Sequence, residues 1–340
     1  MRGNSYSQCR FTCAARLAVC LIFPGLFIAA PVSAQDKIRF YVGASSKTLG
    51  YGPLWVGVRQ GIYEQQGLDV QLLLLRGTPM ALQALAAGSL QVASGGPEAF
   101  IDATERGLEM PMIGGVINGL SHFIIAGKKY KSYEDLRGAT FGAAALTSGT
   151  VTALKQTLKV KGGLEYPRDY KILVIAGGSS ANFSALQSGQ IGATTVAVPL
   201  NYLAEEAGFN IIGRLIDAVP DYQQSALATR RAWAEKNRPL LLRFMKGFVQ
   251  SMHWLYENKE AAIDFLSKEM KLKPDYARRG WEYYTQQRIW HPDGDLNMNG
   301  MKYNLNIYAE QAGAKGPVGA PAKYVDQSFI SEAIKELKRK

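Results

Sequence analysis

The segments LLLLRGTPMALQALAAGSLQVASGGP at residues 72–97 and ILVIAGGSSANFSALQSGQIGATTVAVP at residues 172–199 follow the same pattern, 101 residues apart. Each begins with an apolar run typical of a strand, passes through a turn of small residues into a helical segment that stops at a glycine, and finishes with a second strand and a proline. A helix that joins two strands in this order is typical of a parallel βαβ unit. Two such units predict two α/β lobes of similar construction, although ordinary α/β enzymes also contain several βαβ units.

The small-residue turns are candidate ligand sites. Open α/β sheets bind ligands at the carboxyl ends of their strands, where the N-terminus of a helix presents free backbone N–H groups to an oxyanion. Gly77-Thr78, Ser94-Gly95-Gly96 and Ser148-Gly149-Thr150 each stand between a strand-like run and a helical segment. We therefore predict ligand contacts from these three turns, and simple helix capping is the alternative for each of them.

The N-terminus predicts export. Three arginines and no acidic residue precede an apolar core at residues 17–30. The segment Pro31-Val32-Ser33-Ala34 then has small residues at the positions that a signal peptidase recognises. The apolar core is too short to span a bilayer comfortably. We predict a signal peptide at residues 1–34 that is cleaved after Ala34, and a periplasmic mature protein. An uncleaved membrane anchor is the alternative.

The charge of the chain limits the classes of molecule that it is expected to bind. The formal net charge of the 340 residues is +11, and the three arginines of the leader are part of it, so a chain that starts at residue 35 would carry +8. A net positive field favours small anions or acidic surfaces. The arginines are not interleaved with aromatic residues as in a nucleic-acid surface, and no nucleic-acid partner is predicted.

The cysteines and histidines give no sign of metal or nucleophile chemistry. All three cysteines lie in the predicted leader, so a mature chain would have no disulfide, no thiolate metal site and no cysteine nucleophile. His122, His253 and His291 are scattered, and none has a histidine or cysteine three or four residues away. No cofactor, no metal site and no catalytic residue is predicted.

Alternating strand and helix patterns predict the domain organisation. Residues 35–120 predict a mostly parallel sheet covered by helices, which is the first part of lobe 1. Residues 121–231 form lobe 2, in which a strand at 225–229 is expected to lie beside the strand at 122–128. Residues 232–340 are mainly helical and return to lobe 1. The two crossings between lobes, at 119–122 and 229–232, predict a hinge.

A family likeness is strongest in GPLWVGVRQGIYEQQGLDV at residues 52–70 and continues at residues 84–88, 133–138 and 185–191. Together these segments resemble the periplasmic substrate-binding proteins of nitrate, sulfonate and taurine type ABC importers, also called the family similar to thiamine-pyrimidine synthesis proteins. The resemblance covers essentially the whole mature chain. It implies a two-lobe periplasmic-binding-protein type II fold of the α/β class, in which a ligand is clamped between the lobes and handed to a membrane permease.

The resemblance also implies that the pocket is built from loops at the ends of strands. With the turns described above, the predicted ligand-binding residues are Leu49, Tyr51, Gly52, Arg76, Thr78, Ser94, Gly95, Gly96, Ser148, Gly149, Thr150, Val198 and Pro199. Arg76 is a candidate for a bidentate contact to a carboxylate or sulfonate, with a solvated surface arginine as the alternative. Tyr51 and Trp290 are candidates for stacking on a planar ligand, with ordinary packing as the alternative, and Glu98 is expected to interact with a helix dipole.

We therefore predict an extracytoplasmic solute-binding component of an ABC importer, monomeric, that captures a small anionic or aromatic organic solute such as a sulfonate, a carboxylate or a nitrate-like ion. An enzyme is not predicted, because the chain lacks a nucleophile elbow, a P-loop and a paired-carboxylate motif, and the mature chain lacks the cysteine-rich motif of the thiamine-pyrimidine enzymes. A periplasmic ligand sensor and a thiamine-pyrimidine-related enzyme or binding protein are the alternatives.

Overall fold

The computed structural model of the chain describes residues 37–75, 77–146, 148–175, 178–313 and 318–339. The predicted signal peptide and its cleavage site lie outside the described residues. The strands are β1 Ile38–Ala44, β2 Leu68–Leu74, β3 Val92–Gly95, β4 Met112–Asn118, β5 His122–Ala126, β6 Thr140–Ala143, β7 Lys171–Val174, β8 Ala193–Ala197, β9 Asn210–Arg214 and β10 Gln223–Ala228. The α-helices are α1 Gly52–Arg59, α2 Ile62–Gln65, α3 Thr78–Ala86, α4 Pro97–Glu105, α5 Gly149–Gly162, α6 Gly178–Gln187, α7 Leu200–Glu206, α8 Arg231–Lys236, α9 Arg238–Glu257, α10 Lys259–Met270, α11 Pro274–Gln286, α12 Met298–Gln311 and α13 Ser328–Leu337.

The strands form two five-stranded sheets with equivalent arrangements. The order is β2-β1-β3-β10-β4 in the first sheet and β7-β6-β8-β5-β9 in the second. In each sheet the fourth strand, β10 or β5, is antiparallel to both neighbours, and the first three strands are parallel. Four strands of each sheet therefore run in one direction. The predicted α/β class with two similar, mostly parallel sheets is confirmed. We call the first sheet with its helices lobe 1 and the second sheet with its helices lobe 2.

The two sequence repeats occupy matching places in these sheets. In the first repeat α3 connects β2 to β3, and in the second α6 connects β7 to β8. In both cases the two connected strands flank a third, β1 or β6, to which they are parallel. The pattern of apolar run, small-residue turn and helix thus corresponds to one crossover connection in each lobe, as expected for parallel strands.

The strand predicted at residues 225–229 belongs to lobe 1, which corrects the sequence analysis. It is β10, which pairs with Ser94 and Ala93 on one side and with β4 on the other, rather than with the strand at 122–128. The chain therefore returns to the first sheet at Gln223 and not near residue 232. Ser225 to Ala228 are all fully buried, and a run buried on both faces fits the interior of either sheet. Only the pairing partners decide between them.

The two crossings between the lobes, where the sequence predicts a hinge, lie next to each other. One lies between β4 and β5, and the other leads into β10. The backbone N–H of Gly119 donates to the carbonyl of Tyr222 at 2.5 Å, and the N–H of Ser121 donates to Oε1 of Gln224 at 3.3 Å. Gly119 has a φ of +95°, which a residue with a Cβ adopts only with strain. The second crossing is thus near residues 218–222 rather than at the predicted 229–232.

The sequence analysis does not predict β9, and it includes α12 only in the mainly helical region 232–340. β9 forms the edge of the second sheet beside β5 and is only five residues long. α12 contains a glycine and several asparagines, which are poor helix formers. Its position is set by packing: a Cβ on Gly300 would lie 2.6 Å from the backbone nitrogen of Gln223, so the helix and β10 are in close contact. In α12, tertiary contact overrides the weak local preference.

Candidate functional site

A cavity of about 500 Å³ lies at the hinge and is lined by residues of both lobes. We call it the hinge cavity. Its described lining residues are Ser46, Lys47, Thr48, Leu49, Tyr51, His122, Gly178, Ser179, Ser180, Ala197, Val198, Pro199, Leu200, Gln224, Met270 and Leu272. The volume is in the range of small-molecule sites. The lining combines hydroxyl and amide groups with aliphatic side chains.

The lobe 1 wall is the loop that follows β1. Trp290 is fully buried, and its indole N–H donates to the carbonyl of Gly50 at 2.9 Å. The indole also packs against the ring of Tyr284, with the centroids 4.7 Å apart. The hydroxyl of Tyr51 lies 2.8 Å from Oγ of Ser45, and burial raises the pKa of Tyr51. Trp290 therefore supports the loop from behind, whereas Tyr51 lies in the cavity wall.

The lobe 2 wall combines the second repeat turn with the end of β8. Gly178, Ser179 and Ser180 form the first turn of α6, and this ten-residue helix has no acidic side chain there. Free N–H groups and the helix dipole make such a turn favourable for an oxyanion. Residues 197–200 complete the wall and contain the cis peptide bond between Val198 and Pro199.

Each hinge strand contributes one polar side chain to the cavity. His122 is the first residue of β5, and Gln224 is the second residue of β10. Burial lowers the pKa of His122 to about 4, so its imidazole is neutral at pH 7. Oε1 of the Gln224 side chain accepts the backbone N–H of Ser121 at 3.3 Å.

The charge in the cavity wall is positive. Lys47 is the charged residue among the described lining, and its ammonium lies 2.7 Å from Glu269 and 4.5 Å from the ring centre of Trp55. Glu269 is also 3.3 Å from Arg59, so two cations share one carboxylate. This arrangement keeps Lys47 in place and leaves a net positive group beside the cavity, which favours an anionic ligand.

A second contact between the lobes lies at the N-terminus of α5. There Glu98 of α4 accepts hydrogen bonds from the hydroxyl of Tyr222 at 3.0 Å and from Nδ2 of Asn304 at 2.8 Å. Burial raises the pKa of this carboxyl group. A Cβ on Gly149, the first residue of α5, would lie 1.8 Å from Oη of Tyr222 and 2.8 Å from Oε1 of Glu98. The protein's own carboxyl group therefore occupies this turn.

The predicted site residues divide into two groups. Leu49, Tyr51, Val198 and Pro199 line the hinge cavity. The other predicted residues that the structure describes do not line it: Gly52, for example, lies under the ring of Trp290, where an added Cβ would be 3.3 Å from Cζ2. Arg76 lies outside the described residues.

The lobe 1 turns are joined to each other. Oγ1 of Thr78 accepts the N–H of Gly96 at 3.1 Å, and Thr78 lies against Gly95, where an added Cβ would be only 2.4 Å from its Cγ2. Ser94 is fully buried and donates to the carbonyl of Gly43 at 3.1 Å. These contacts brace the ends of β1 and β3 and lie within lobe 1.

The α5 turn is a helix cap with an interlobe contact. Oγ of Ser148 accepts the N–H of Val151 at 3.3 Å, which is the N-cap geometry. Gly149 faces Tyr222 as described, and Thr150 follows in the first turn without lining the hinge cavity.

Sequence reasoning missed several cavity residues. Ser179 and Ser180 belong to the second repeat but are not among the predicted site residues, although their turn lines the cavity, whereas Thr78 of the equivalent lobe 1 turn does not. The position of this turn in the second repeat is the sequence feature that could have identified it as part of the site. His122 and Gln224 have no local signal, because they meet only when the two crossings come together. Lys47 lies in the loop after β1, two residues before the predicted Leu49.

Two absences hold for the part of the chain that the structure describes. There, no three histidine, cysteine, aspartate or glutamate side chains are grouped in a way that would hold a metal ion. Within the same ranges, no helix is both long and apolar enough to cross a membrane.

Comparisons with known proteins agree with this architecture. A family model described as NMT1/THI5 like matches residues 50–262. A putative binding protein from Brucella abortus strain 2308 is 27% identical over 244 residues, which cover 71% of this chain and 74% of that protein. The solved structure of a putative sulfonate ABC transporter, periplasmic sulfonate-binding protein SsuA from Methylobacillus flagellatus KT is similar with a TM-score of 0.69 and 18% identity, over 89% of this chain and 96% of that one. The periplasmic nitrate-binding protein NrtA from Synechocystis PCC 6803 has a TM-score of 0.71 and 14% identity over 90% of each chain. The two structures share the fold, and all three names are those of binding or transport proteins rather than enzymes.

Proposed function

Because the chain belongs to the NMT1/THI5 like family, we propose that it is the extracytoplasmic solute-binding component of an ABC importer, which closes its lobes over a small organic anion in the hinge cavity. Export with cleavage after Ala34, a monomeric state and delivery to a membrane permease are parts of this proposal. The leader sequence supports the first of these.

The observation that carries the proposal is the composition of the hinge cavity. Lys47 and the first turn of α6 favour a negatively charged group. Aliphatic side chains from Leu49, Leu200 and Met270 offer an apolar surface to the body of the same molecule. A carboxylate or sulfonate on an aromatic or aliphatic body matches both kinds of surface. Three or four hydrogen bonds of about 1.5 to 3 kcal/mol each would give an affinity near 1 µM, which is about −8 kcal/mol.

Closure of the lobes is the second part of the mechanism. The cavity wall comes from both lobes, so either lobe alone presents an incomplete site. Beside the cavity, Lys273, the residue before α11, pairs with Glu206 of α7 in lobe 2 at 2.7 Å, and Arg279 of α11 pairs with Glu205 of α7 at 2.9 Å. The guanidinium of Arg279 also lies 3.9 Å from the ring centre of Tyr202. Ligand contacts from both walls would add to these contacts and favour the closed form.

A thermal-shift screen of the protein from residue 35 tests the proposal. The panel contains benzoate, benzenesulfonate, taurine, nitrate and a neutral pyrimidine, because a ligand that binds the folded state raises the melting temperature. We expect an organic anion to give the largest shift and Lys47→Ala to reduce it. Lys268→Ala is the matched control, since Lys268 pairs with Asp264 on the exposed face of α10 and does not line the cavity. Equal shifts in both variants, or a shift with the pyrimidine alone, would contradict the anionic class.

A further inference from the structure

Gly280 lies in the middle of α11, directly behind the wall of the hinge cavity. It is buried, and a Cβ at this position would lie 2.3 Å from Cδ2 of Leu49 and 3.5 Å from Cγ1 of Val198. Both of these residues line the hinge cavity, Leu49 from lobe 1 and Val198 from lobe 2. The glycine therefore touches the outer side of both walls.

The conformation of α11 does not require a glycine at this place. Gly280 is helical, and its φ is not in the left-handed region. In a helix interior glycine is less favourable than alanine, so the helix by itself would be more stable with alanine. What the glycine provides is room. Ordinary van der Waals contact begins at 3.4 Å, so an alanine Cβ would fit against Val198 but would overlap Cδ2 of Leu49 by about 1.1 Å.

The surroundings of Leu49 decide where its side chain would move. The backbone of its turn is held by the indole N–H of Trp290, which donates to the carbonyl of Gly50 at 2.9 Å, and by the N–H of Tyr51, which donates to the carbonyl of Thr48 at 3.0 Å. The side chain can rotate more easily than this backbone can shift. Because protein interiors are close-packed, the free volume beside Leu49 is the hinge cavity that it lines.

We propose that Gly280 is a specificity-determining residue, which lets the Leu49 side chain lie back from the hinge cavity and so makes room for the organic body of the solute. This inference rests on the proposed function and narrows its substrate class to anions with a body of several carbon atoms, such as an aromatic ring. The cavity of about 500 Å³ suits such a body better than an ion of the size of nitrate.

The test compares benzenesulfonate with methanesulfonate by calorimetry on the protein from residue 35, because the two solutes share an anionic group and differ in the body. The wild type should bind benzenesulfonate about tenfold or more tightly than methanesulfonate. Gly280→Ala should weaken benzenesulfonate binding about tenfold and change methanesulfonate binding by less than about twofold. Adding Leu49→Ala to Gly280→Ala removes the overlapping methyl group and should restore the preference for benzenesulfonate.

Gly247→Ala is the matched control. Gly247 is a buried glycine inside α9, and a Cβ there would lie 2.5 Å from Cδ1 of Tyr63, which is a similar overlap. Neither of these two residues lines the hinge cavity, so Gly247→Ala should keep the wild-type preference. An equal loss of preference in Gly247→Ala overturns the inference. So does an unchanged preference in Gly280→Ala, or a wild type that binds both sulfonates equally well.

Crystal structures of the unliganded wild type and Gly280→Ala provide a second, independent readout. The Leu49 side chain of Gly280→Ala should point into a hinge cavity that is smaller than in the wild type. A Leu49 side chain that keeps its place, with a shifted α11 and an undiminished cavity, overturns the inference. A wild type that binds neither sulfonate contradicts the anionic class of the proposed function, and the position of Leu49 in Gly280→Ala then still supports or overturns the role of Gly280.

Discussion

Gly149→Ala tests lobe closure directly, because it inserts one methyl group between the lobes. Gly149 is the first residue of α5 in lobe 2, and it faces Tyr222 at the hinge and Glu98 of lobe 1. Its backbone is not in the left-handed region, so alanine is allowed there by conformation. The added Cβ would lie 1.8 Å from Oη of Tyr222, whereas ordinary van der Waals contact begins at 3.4 Å.

The size of the effect follows from this overlap. The two groups must separate by about 1.6 Å, and the hydroxyl of Tyr222 cannot move away freely since it donates to Glu98 at 3.0 Å. Overpacking of this kind costs about 1 to 3 kcal/mol. If about 2 kcal/mol of this cost destabilises the closed form and none of it the open form, the affinity for the ligand decreases about 30-fold. Alanine is a better helix former than glycine, so the stability of the open form should not decrease.

Calorimetry and small-angle scattering measure the two consequences. With benzoate or the best solute of the screen, Gly149→Ala should bind about 30-fold more weakly and show a smaller decrease of the radius of gyration on binding than the wild type. Gln156→Ala, an exposed change in the same helix, is the control and should match the wild type. Wild-type affinity together with a wild-type change of radius in Gly149→Ala would refute the reasoning, and the α5 turn would then not be a closing contact.

Three further predictions concern the leader, the cavity wall and acid stability. Mass spectrometry of the exported protein should find Gln35 as its first residue, and a mature form that retains the leader cysteines would contradict cleavage after Ala34. Trp290→Phe leaves the buried Gly50 carbonyl without its donor, so urea denaturation should show a loss of about 1 to 3 kcal/mol, and unchanged stability would show that the indole N–H contributes nothing. Hydrogen bonds from Arg168 and from a backbone N–H lower the pKa of Asp169 from 3.8 to about 2. Since this pKa is depressed in the folded state, the stabilisation is present above pH 4 and is lost as the pH falls towards 2. Urea denaturation at several pH values should find this loss in the wild type and not in Asp169→Asn.

Residues of the candidate site could be predicted only where they lie in a loop whose local sequence is typical of ligand-binding turns. Pro199 and Tyr51 follow strand ends in loops of small residues, and both line the hinge cavity. Ser94 and Thr78 have the same local character, yet their hydroxyl groups are used inside lobe 1. A turn of small polar residues has the same sequence signature whether it binds a ligand or braces a strand, because both tasks use the same N–H and O–H groups.

By itself, the sequence determined the types and order of most elements and the existence of two similar lobes. Helices and strands differ in the period of their apolar residues. Two copies of one pattern, 101 residues apart, can be recognised without any knowledge of contacts. The tertiary structure alone decided which sheet receives β10, which turn faces the cavity, and that His122 and Gln224 meet there. Pairing and burial arise between residues that are distant in the chain: His122 and Gln224 belong to different crossings and lie together only because those crossings are hydrogen-bonded to each other.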